Sequence, residues 1–331
     1  MGNYLTTQKA FRSLIASARS GNVRQAYIFE GIKGIGKYTT ARIFANAIHC
    51  TGENKPCGVC PDCKKHIANT HSDLFVVGGG GQIKVEDIRQ MNEELYIKPA
   101  LSSRKICIVR NADNMNNDAQ NALLKSFEEP PAYAVIILLS ENIKNLLPTI
   151  RSRGNKVVFE PFSEKEISEY LLRQYPLKKD AIPFVSLYSG GVIGRATDIL
   201  ENEEFFETRN KMFRAIATLT GDRMSIFTVA EAFGAKGGKG AFESCDLYFD
   251  LFTSFMRDVL AIKTGARVIN QDMSALIEGF CAKVTSSSVL SIIERTAKVR
   301  SELNVSMKYE LWIVNMLINC WEDINGKGSR S

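Results

Sequence analysis

The sequence lacks an apolar run long enough to span a membrane, and this absence narrows the classes of protein that it can encode. A bilayer-spanning helix needs about 18 to 20 consecutive apolar residues, and no stretch of the 331 residues approaches that length. The first twenty residues also lack the uninterrupted apolar core of a secretory signal. With 45% hydrophobic and 24% charged residues, the composition is that of an ordinary globular protein. We expect a cytoplasmic chain with no membrane partner.

Residues 201–331 lack a charge excess of either sign, whereas the first 200 residues are basic. The later segment contains 16 lysines and arginines against 17 acidic residues, and residues 1–200 contain 26 against 19. The net charge of +6 is therefore carried by the N-terminal part, where it would face an anionic partner such as a nucleotide or a nucleic acid. A solvated basic surface is the plain alternative.

Cysteine is scarce outside one short segment, which argues against a disulfide framework. Four of the eight cysteines lie singly in apolar contexts, and the other four follow the spacing C-x6-C-x2-C-x2-C. Four thiolates at this spacing can surround a tetrahedral Zn²⁺ about 2.3 Å from each sulfur, with no position left for catalysis. We predict a structural zinc site that orders this short insert, with His66 as a solvated neighbour. The predicted ligands are Cys50, Cys57, Cys60 and Cys63.

The chain alternates β-rich and helical patterns up to about residue 161 and is helical afterwards. Apolar runs separated by helical periodicity predict a parallel α/β sheet with helices on both faces. A capping-box spacing at Ser163 and Glu166 starts the helical part. We predict domains at 1–161, with the zinc module at 50–63, at 162–204 and at 205–331. The predicted strands are AYIF, DLFVV, KICIVR, AVIILLS and NKVVFE.

The stretch GIKGIGKYT, residues 31–39, predicts a phosphate-binding loop between the first strand and a helix. Gly31, Gly36 and Lys37 fit the pattern G-x-x-x-x-G-K, and Gly34 is an additional glycine. Backbone amides of such a loop cradle phosphate oxygens, while the lysine reaches the outer phosphates. The spacing therefore predicts a degenerate nucleotide site that includes Tyr38 and Thr39.

The loop lacks the groups that hydrolysis needs. The hydroxyl after the lysine normally binds Mg²⁺, and an acidic residue at the end of another strand supports that metal. Here Tyr38 follows the lysine, Thr39 is rotated by about 100° around the helix, and the strand KICIVR runs into Arg110 and Asn111. We predict a nucleotide hydrolase fold that does not hydrolyse ATP itself. Whether it still binds ATP stays open.

Several stretches together resemble the bacterial clamp-loader subunits of DNA polymerase III. The resemblance implies an α/β AAA+ fold, that is, a RecA-like parallel sheet of the P-loop NTPase type. It further implies a zinc-binding insert, a small helical lid and a C-terminal all-α collar that joins five subunits in an open ring. The implied partners are gamma/tau and delta subunits, with the sliding clamp and primed DNA met through the assembly. The motifs are QAYIFEGIKGIGKYTTARIFANAIHC, CGVCPDC, NALLKSFEEPP, LPTIRSR and GRATDIL, spread over roughly residues 5 to 200.

The same resemblance gives a role to an arginine outside the loop. TIRSRG is similar to the family's Ser-Arg-Cys motif with Gly154 in place of cysteine, so Arg153 matches the arginine finger that reaches a neighbour's γ-phosphate. Such fingers are worth about 10³ to 10⁵ in rate. Ser140 matches the polar sensor on the fourth strand, and Arg195 matches the lid arginine. A strand-end or helix-start role for Ser140 and Arg195, and a surface ion pair for Arg153, are the alternatives.

The sequence thus favours a non-hydrolysing clamp-loader subunit that forms a fixed wall of the ring and supplies Arg153 in trans. The alternative is the ATP-hydrolysing gamma/tau-type motor subunit, whose turnover Lys37→Ala would abolish. A zinc-containing DNA-binding module is a third possibility, and it predicts salt-sensitive affinity of the monomer for primed DNA.

Overall fold

The computed structural model describes residues 4–234, 245–303 and 308–326. The chain divides into two compact units, Met1–Asp198 and Ile199–Ser331. The first unit contains a β-sheet with helices around it, and the second is helical throughout its described residues.

A parallel five-stranded sheet organises the first unit. The spatial order of its strands is β2-β3-β4-β1-β5, and every neighbouring pair is parallel. The central strand β1 pairs Tyr27 with Ile137 on one side and with Asn155 on the other. The five predicted strands and the predicted parallel α/β sheet are confirmed. The strands are β1 (Ala26–Glu30), β2 (Leu74–Gly78), β3 (Lys105–Arg110), β4 (Ala134–Ser140) and β5 (Asn155–Val158).

Helices cover both faces of this sheet, because side chains alternate along each strand. Ile28 lies in one buried cluster with Leu95 and Leu123 from two helices on one face. The neighbouring Tyr27 packs on the other face, where its ring lies 5.3 Å from that of Phe44. The helices of this part are α1 (Lys9–Ser20), α2 (Lys37–His49), α3 (Pro61–Ile67), α4 (Val85–Tyr96), α5 (Asn117–Glu128) and α6 (Pro148–Arg153).

Three further helices follow the sheet: α7 (Glu164–Gln174), α8 (Ile182–Tyr188) and α9 (Ile193–Glu201). The predicted capping box starts α7, since the Ser163 hydroxyl accepts from the Glu166 amide at 3.3 Å and the Ser163 amide donates to Glu166 Oε2 at 2.8 Å. Helices α7 and α8 belong to the same compact unit as the sheet. A separate lid domain at 162–204 stays a prediction.

Aromatic side chains and one buried carboxylate organise the second unit. Phe255 makes edge-to-face contacts with Phe213 and Phe280, with centroids 5.1 Å and 5.2 Å away. Asp258 is fully buried and accepts from the backbone amides of Ile269 and Asn270 at 2.9 Å and 2.8 Å, which offsets the cost of burying its charge. The helices are α10 (Phe205–Ala217), α11 (Ser225–Ala232), α12 (Cys245–Thr264), α13 (Ser274–Cys281), α14 (Ser286–Glu302) and α15 (Tyr309–Asn325).

Within the described ranges, no helix by itself has the length and apolarity to cross a membrane. One pair, Gln271–Cys281 with Ser286–Glu302, meets the length and composition requirement only when joined across a 114° bend.

Candidate functional site

The phosphate loop lies where the carboxyl ends of three strands meet. β1 runs into the loop, β3 ends at Arg110 and β4 ends at Ser140. The amide of Gly31 donates to the backbone carbonyl of Ser140 at 3.2 Å, which ties the loop to β4. Gly36 has a φ of 101° at the start of α2, a conformation that glycine adopts without strain. The edge of the sheet is therefore the one at which parallel α/β proteins bind ligands.

Lys37 folds back onto the loop that carries it. Its side chain is buried, and its Nζ donates to the carbonyl oxygens of Gly31 at 2.5 Å and Ile32 at 3.0 Å. Burial lowers the pKa of Lys37, while the carboxylates of Glu141 and Asp113 act in the opposite direction. Two of the three donors of the ammonium group are thus engaged by the loop itself.

Tyr38 and Arg110, two residues that differ from the pattern of a nucleotide hydrolase, are in contact. The guanidinium carbon of Arg110 lies 4.4 Å from the centroid of the Tyr38 ring, within the range of a cation–π interaction. In a nucleotide hydrolase, the residue at the first of these positions is a Ser or Thr that binds Mg²⁺, and the residue at the second is an acid that supports the metal. In this chain the first position carries an aromatic ring and the second a guanidinium. The positive charge of the guanidinium repels a divalent cation.

Asp113, the carboxylate nearest to the end of β3, is engaged elsewhere. Its Oδ2 accepts from the backbone amides of Glu141 and Asn142 at 3.1 Å and 3.0 Å. Asn111, two residues earlier, has a left-handed φ of 52°. Asp113 therefore lies beyond the end of β3 and fixes the turn after β4 through its Oδ2.

Two segments cover the phosphate loop. A Cβ on Gly36 would lie 2.9 Å from Leu5 Cδ2, and Leu5 is completely buried. On another side, a Cβ on Gly34 would lie 3.0 Å from Val192 Cγ1, and the Gly194 amide donates to the Gly34 carbonyl at 3.0 Å. The loop is thus packed against the first helical turn of the chain and against the start of α9.

The remaining predicted nucleotide residues lie around this loop. Burial raises the pKa of the Tyr4 hydroxyl, and the Thr39 side chain, which lies beside this hydroxyl, acts with a smaller effect to lower that pKa. Ser140 Oγ is buried and has no hydrogen-bond partner in the described part of the chain. The Arg195 guanidinium lies 4.7 Å from the ring centroid of Tyr188. The structure brings Ser140 and Arg195 to the loop, and their sensing roles stay predictions.

Arg153 lies at the opposite edge of the sheet. It ends α6, and β5 starts at Asn155, which pairs with Tyr27 near the start of β1. The side chain is 43% exposed, and its Nε lies 3.2 Å from Glu128 Oε1, while its Nη1 donates to the Thr149 carbonyl at 3.1 Å. The arginine and the phosphate loop of one chain therefore cannot meet at the same site.

Gly154 is required by its surroundings. A Cβ at this position would lie 2.5 Å from Ile28 Cδ1 and 3.1 Å from Phe127 Cζ. The cysteine of the related motif has no room here, because Ile28 of β1 already fills the space. Packing of Ile28 against Gly154 thus supports the end of α6 in place of a cysteine side chain.

The four clustered cysteines form a candidate metal centre. Their sulfur atoms all lie within 4.8 Å of one another, and the pairs Cys57–Cys63 and Cys50–Cys60 are each 3.9 Å apart. A tetrahedron with metal–sulfur bonds of about 2.3 Å has sulfur–sulfur edges of about 3.8 Å. Backbone amides of Cys57, Cys60 and Cys63 donate to the sulfurs of Cys50, Cys57 and Cys60 at 3.3 to 3.4 Å. The four thiols could bind one metal ion.

A stack of three histidines next to this centre was not expected from the sequence. His49, His66 and His71 are all buried, so the prediction that His66 is solvated is wrong. The Arg104 carbonyl lies 3.0 Å from His49 Nε2 and can only accept, so that nitrogen carries a proton. His49 Nδ1 then accepts from His66 Nε2 at 2.9 Å. These are the only histidines in the sequence, and their grouping between residues 49 and 71 is the signal that could have revealed them.

Comparisons with known proteins match nearly the whole chain to subunits of DNA polymerase III. The family model described as "DNA polymerase III, delta subunit" matches residues 6–163, and the one described as "DNA polymerase III, delta subunit, C terminal" matches residues 203–322. DNA polymerase III subunit delta' of Bacillus subtilis is 29% identical over 308 residues, which cover 90% of this chain and 92% of the relative. The delta' subunit of Escherichia coli is 24% identical, covering 93% and 92%. DNA polymerase III subunit tau/gamma of Haemophilus influenzae is 30% identical over 174 residues, 52% of this chain and 25% of that protein.

Proposed function

Since this chain belongs to the family of DNA polymerase III delta' subunits, we propose that it serves the clamp loader as a subunit that does not hydrolyse ATP. The delta' relatives match along almost their full length, whereas the tau/gamma relative matches over about half of this chain. The extent of these matches favours the delta' type over the gamma/tau-type motor.

The contact between Arg110 and Tyr38 is the observation that carries this proposal. Hydrolysis requires a metal held between the loop hydroxyl and a strand-end acid, and a guanidinium stacked on a phenol ring supplies neither ligand. The self-bonded Lys37 and the packing of Leu5 and Gly194 against the loop support the same conclusion. We infer that the loop is retained architecture and that ATP binding is weak or absent.

Arg153 is proposed to act on a nucleotide held by a neighbouring gamma/tau subunit. A guanidinium presented to the transferring phosphoryl group stabilises its developing charge. The edge of the sheet that carries Arg153 faces away from the chain's own loop, which suits action in trans. The alternative of a surface ion pair also has support, because Arg153 pairs with Glu128, and only an assay in the assembly separates the two.

The assembly, partners and metal of this chain are proposed from the same family. We propose a five-subunit ring with gamma/tau and delta subunits, in which residues 205–331 form the collar and this chain is the fixed wall. The sliding clamp and primed DNA would be met through the ring, in the cytoplasm. The metal of the Cys50, Cys57, Cys60 and Cys63 centre is proposed to be Zn²⁺, which all-thiolate tetrahedral sites favour, and its role is structural.

The absence of hydrolysis is tested on the isolated chain with Mg²⁺-ATP. We expect no turnover above background and no change in Lys37→Ala. Turnover that Lys37→Ala abolishes would instead establish the gamma/tau-type motor function.

The trans role of Arg153 is tested in a reconstituted ring. The other motor subunits carry a disabled phosphate-loop lysine, so only the motor subunit facing Arg153 hydrolyses ATP. We expect Arg153→Ala to lower turnover at that site by a factor of about 10³ or more, with Arg89→Ala, an exposed arginine on α4, as the control. Normal turnover in the Arg153→Ala ring would refute the trans role.

A further inference from the structure

A polar cleft surrounds Arg153 at the amino ends of β1 and β5. Its volume is about 530 Å³, enough for a phosphate group and the side chains that reach it. Two arginines and one glutamate are among the residues that line it. The lining residues that matter here are Arg24, Gln25, Glu128, Pro130, Arg153 and Asn155, and we name this site the arginine cleft.

The two arginines of the cleft differ in their partners. Arg153 is bonded to Glu128 and to the Thr149 carbonyl. The exposed Arg24 makes no side-chain ion pair or hydrogen bond within residues 4–234, 245–303 and 308–326. The cleft therefore holds one neutralised cation and one cation that is available to a ligand. An anion with more charge than a carboxylate can compete with Glu128, since it would meet both guanidinium groups.

The backbone at Arg24 is held in place although its side chain is exposed. The Arg24 amide donates to Tyr27 Oη at 2.8 Å, and Tyr27 is buried in the core. Gln25 ties this segment to the chain just after Glu128, because its Nε2 donates to the Pro131 carbonyl at 2.8 Å. The Ile136 amide donates to the Gln25 carbonyl at 2.7 Å. Arg24 thus leaves a fixed point beside the end of α5, which lowers the entropic cost of ordering it on a ligand.

We propose that Arg24 joins Arg153 in contacting the terminal phosphate of a nucleoside triphosphate bound by the neighbouring subunit. Arg24 is the second guanidinium beside Arg153, and Glu128 is the internal anion that the phosphate displaces. This inference rests on the trans role of Arg153 proposed above. Arg24 contacts the phosphate of the ligand, whereas Glu128 acts through Arg153 as a positioning residue.

The experiment uses the ring with a single active motor site and measures kcat and KM for ATP with Arg24→Ala, Arg24→Lys and Glu128→Gln. Arg24→Ala is expected to lower kcat/KM about tenfold or more, the size of a lost charge-assisted hydrogen bond. Arg24→Lys should recover part of this loss, because it keeps the charge but not the forked geometry. Arg89→Ala is the matched control, and the thermal midpoint of each variant checks that it is folded.

Glu128→Gln separates the role of the carboxylate from that of the arginines. We expect a lower KM for ATP, because the phosphate no longer competes with a negative charge for Arg153. A raised KM would overturn the role given to Glu128.

The controls distinguish failure of this inference from failure of the proposed function. If Arg153→Ala stops turnover while Arg24→Ala behaves like Arg89→Ala, the role of Arg24 is refuted and the trans role of Arg153 stands. If Arg153→Ala leaves turnover unchanged, the trans role is refuted, and the arginine cleft loses its assignment with it.

Discussion

Tyr38 and Arg110 touch, so their effects on stability should depend on each other. A double-mutant cycle with Tyr38→Ala, Arg110→Ala and the double variant measures this coupling in the free energy of unfolding. We expect about 0.5 to 1 kcal/mol, the usual size of a cation–π contact near a surface. The pair Tyr38 and Arg42, whose guanidinium lies 6.0 Å from the ring, is the matched comparison and should couple more weakly. Equal coupling in the two pairs would argue against a specific contact.

Gly154 should tolerate no side chain. Gly154→Ala would place a Cβ against Ile28 and Phe127, and overpacking of this kind costs about 1 to 3 kcal/mol. Gly80→Ala in the same compact unit is the control, because a Cβ there meets nothing within 4 Å. Chemical denaturation of the two variants gives the comparison. A loss below 0.5 kcal/mol, on the order expected for surface changes, would show that Ile28 moves aside.

Single residues were predictable where their type and spacing carry the chemistry. The glycines and Lys37 of the loop and the four cysteines belong to this class, because a short local segment brings them together. The contact of Tyr38 with Arg110 was not predictable, since it depends on β3 lying close enough to the loop. The pairing of Arg153 with Glu128 likewise follows from how α5 and α6 pack.

Under the proposed function, the insert at residues 50–63 is an element whose order depends on a structural zinc ion. Cys60→Ser should remove the bound zinc, measured as metal per chain, because three thiolates leave the tetrahedral site incomplete. Cys245→Ser, a half-buried single thiol outside the cluster, should retain it. Loss of zinc should also speed trypsin cleavage after Lys64 and Lys65, since the insert is too short to fold alone and its backbone would then fit the protease. Full zinc content in Cys60→Ser would contradict the four-ligand assignment.

The histidine stack predicts a dependence of stability on pH. Burial, followed by the charges of His49, His71 and Arg42, lowers the pKa of His66 to about 3. The unfolded chain takes up this proton near pH 6.5, so the stabilisation is complete above that pH and is lost as the pH falls towards 3. The slope for one group is about 1.4 kcal/mol per pH unit.

His66→Gln reports this contribution when both proteins are measured at the same zinc content. The stability advantage of the original chain over His66→Gln should shrink by about 1.4 kcal/mol for each pH unit between 6 and 4. Urea unfolding at several pH values measures it. A constant difference would mean that His66 is protonated in the folded state as well.

The sequence predicted which strands and helices exist better than it predicted which residues pack around them. Strand β4 was recognisable because it is continuously apolar, and it is buried along its whole length, whereas β5 begins with the exposed Asn155 and Lys156. The cover over the phosphate loop could not be predicted, since Leu5 and Val192 are ordinary apolar residues whose positions depend on the packing of the whole unit. The buried state of His66 is a similar case.

For the whole molecule, the packed loop predicts little response to nucleotide. A ligand present at a hundred times its dissociation constant adds about 2.7 kcal/mol to stability. We expect millimolar Mg²⁺-ATP to leave the thermal midpoint of this chain unchanged, while it raises that of a gamma/tau subunit measured in parallel. A shift comparable to that of the motor subunit would show that the loop opens and binds ATP without cleaving it.

The predicted domain boundaries at residues 161 and 204 stay predictions. The change from strands to helices near Pro161 is visible in the sequence and suggested a domain end. In the structure, α7 and α8 join the sheet in one compact unit that extends to Asp198. A change in secondary-structure type is a local property, whereas compactness depends on long-range packing.

The phosphate loop and Arg153 lie at opposite edges of the sheet, so the two ends of the subunit are chemically different. β1, with five residues, separates the two edges by about 16 Å. In a head-to-tail row of such subunits, each interface takes a loop from one chain and an arginine from the next. Under the proposed function, this chain offers an arginine but no working loop, so it completes the site of the subunit on one side only. The series of working sites therefore stops at this chain, because the interface on its loop side has no working nucleotide site.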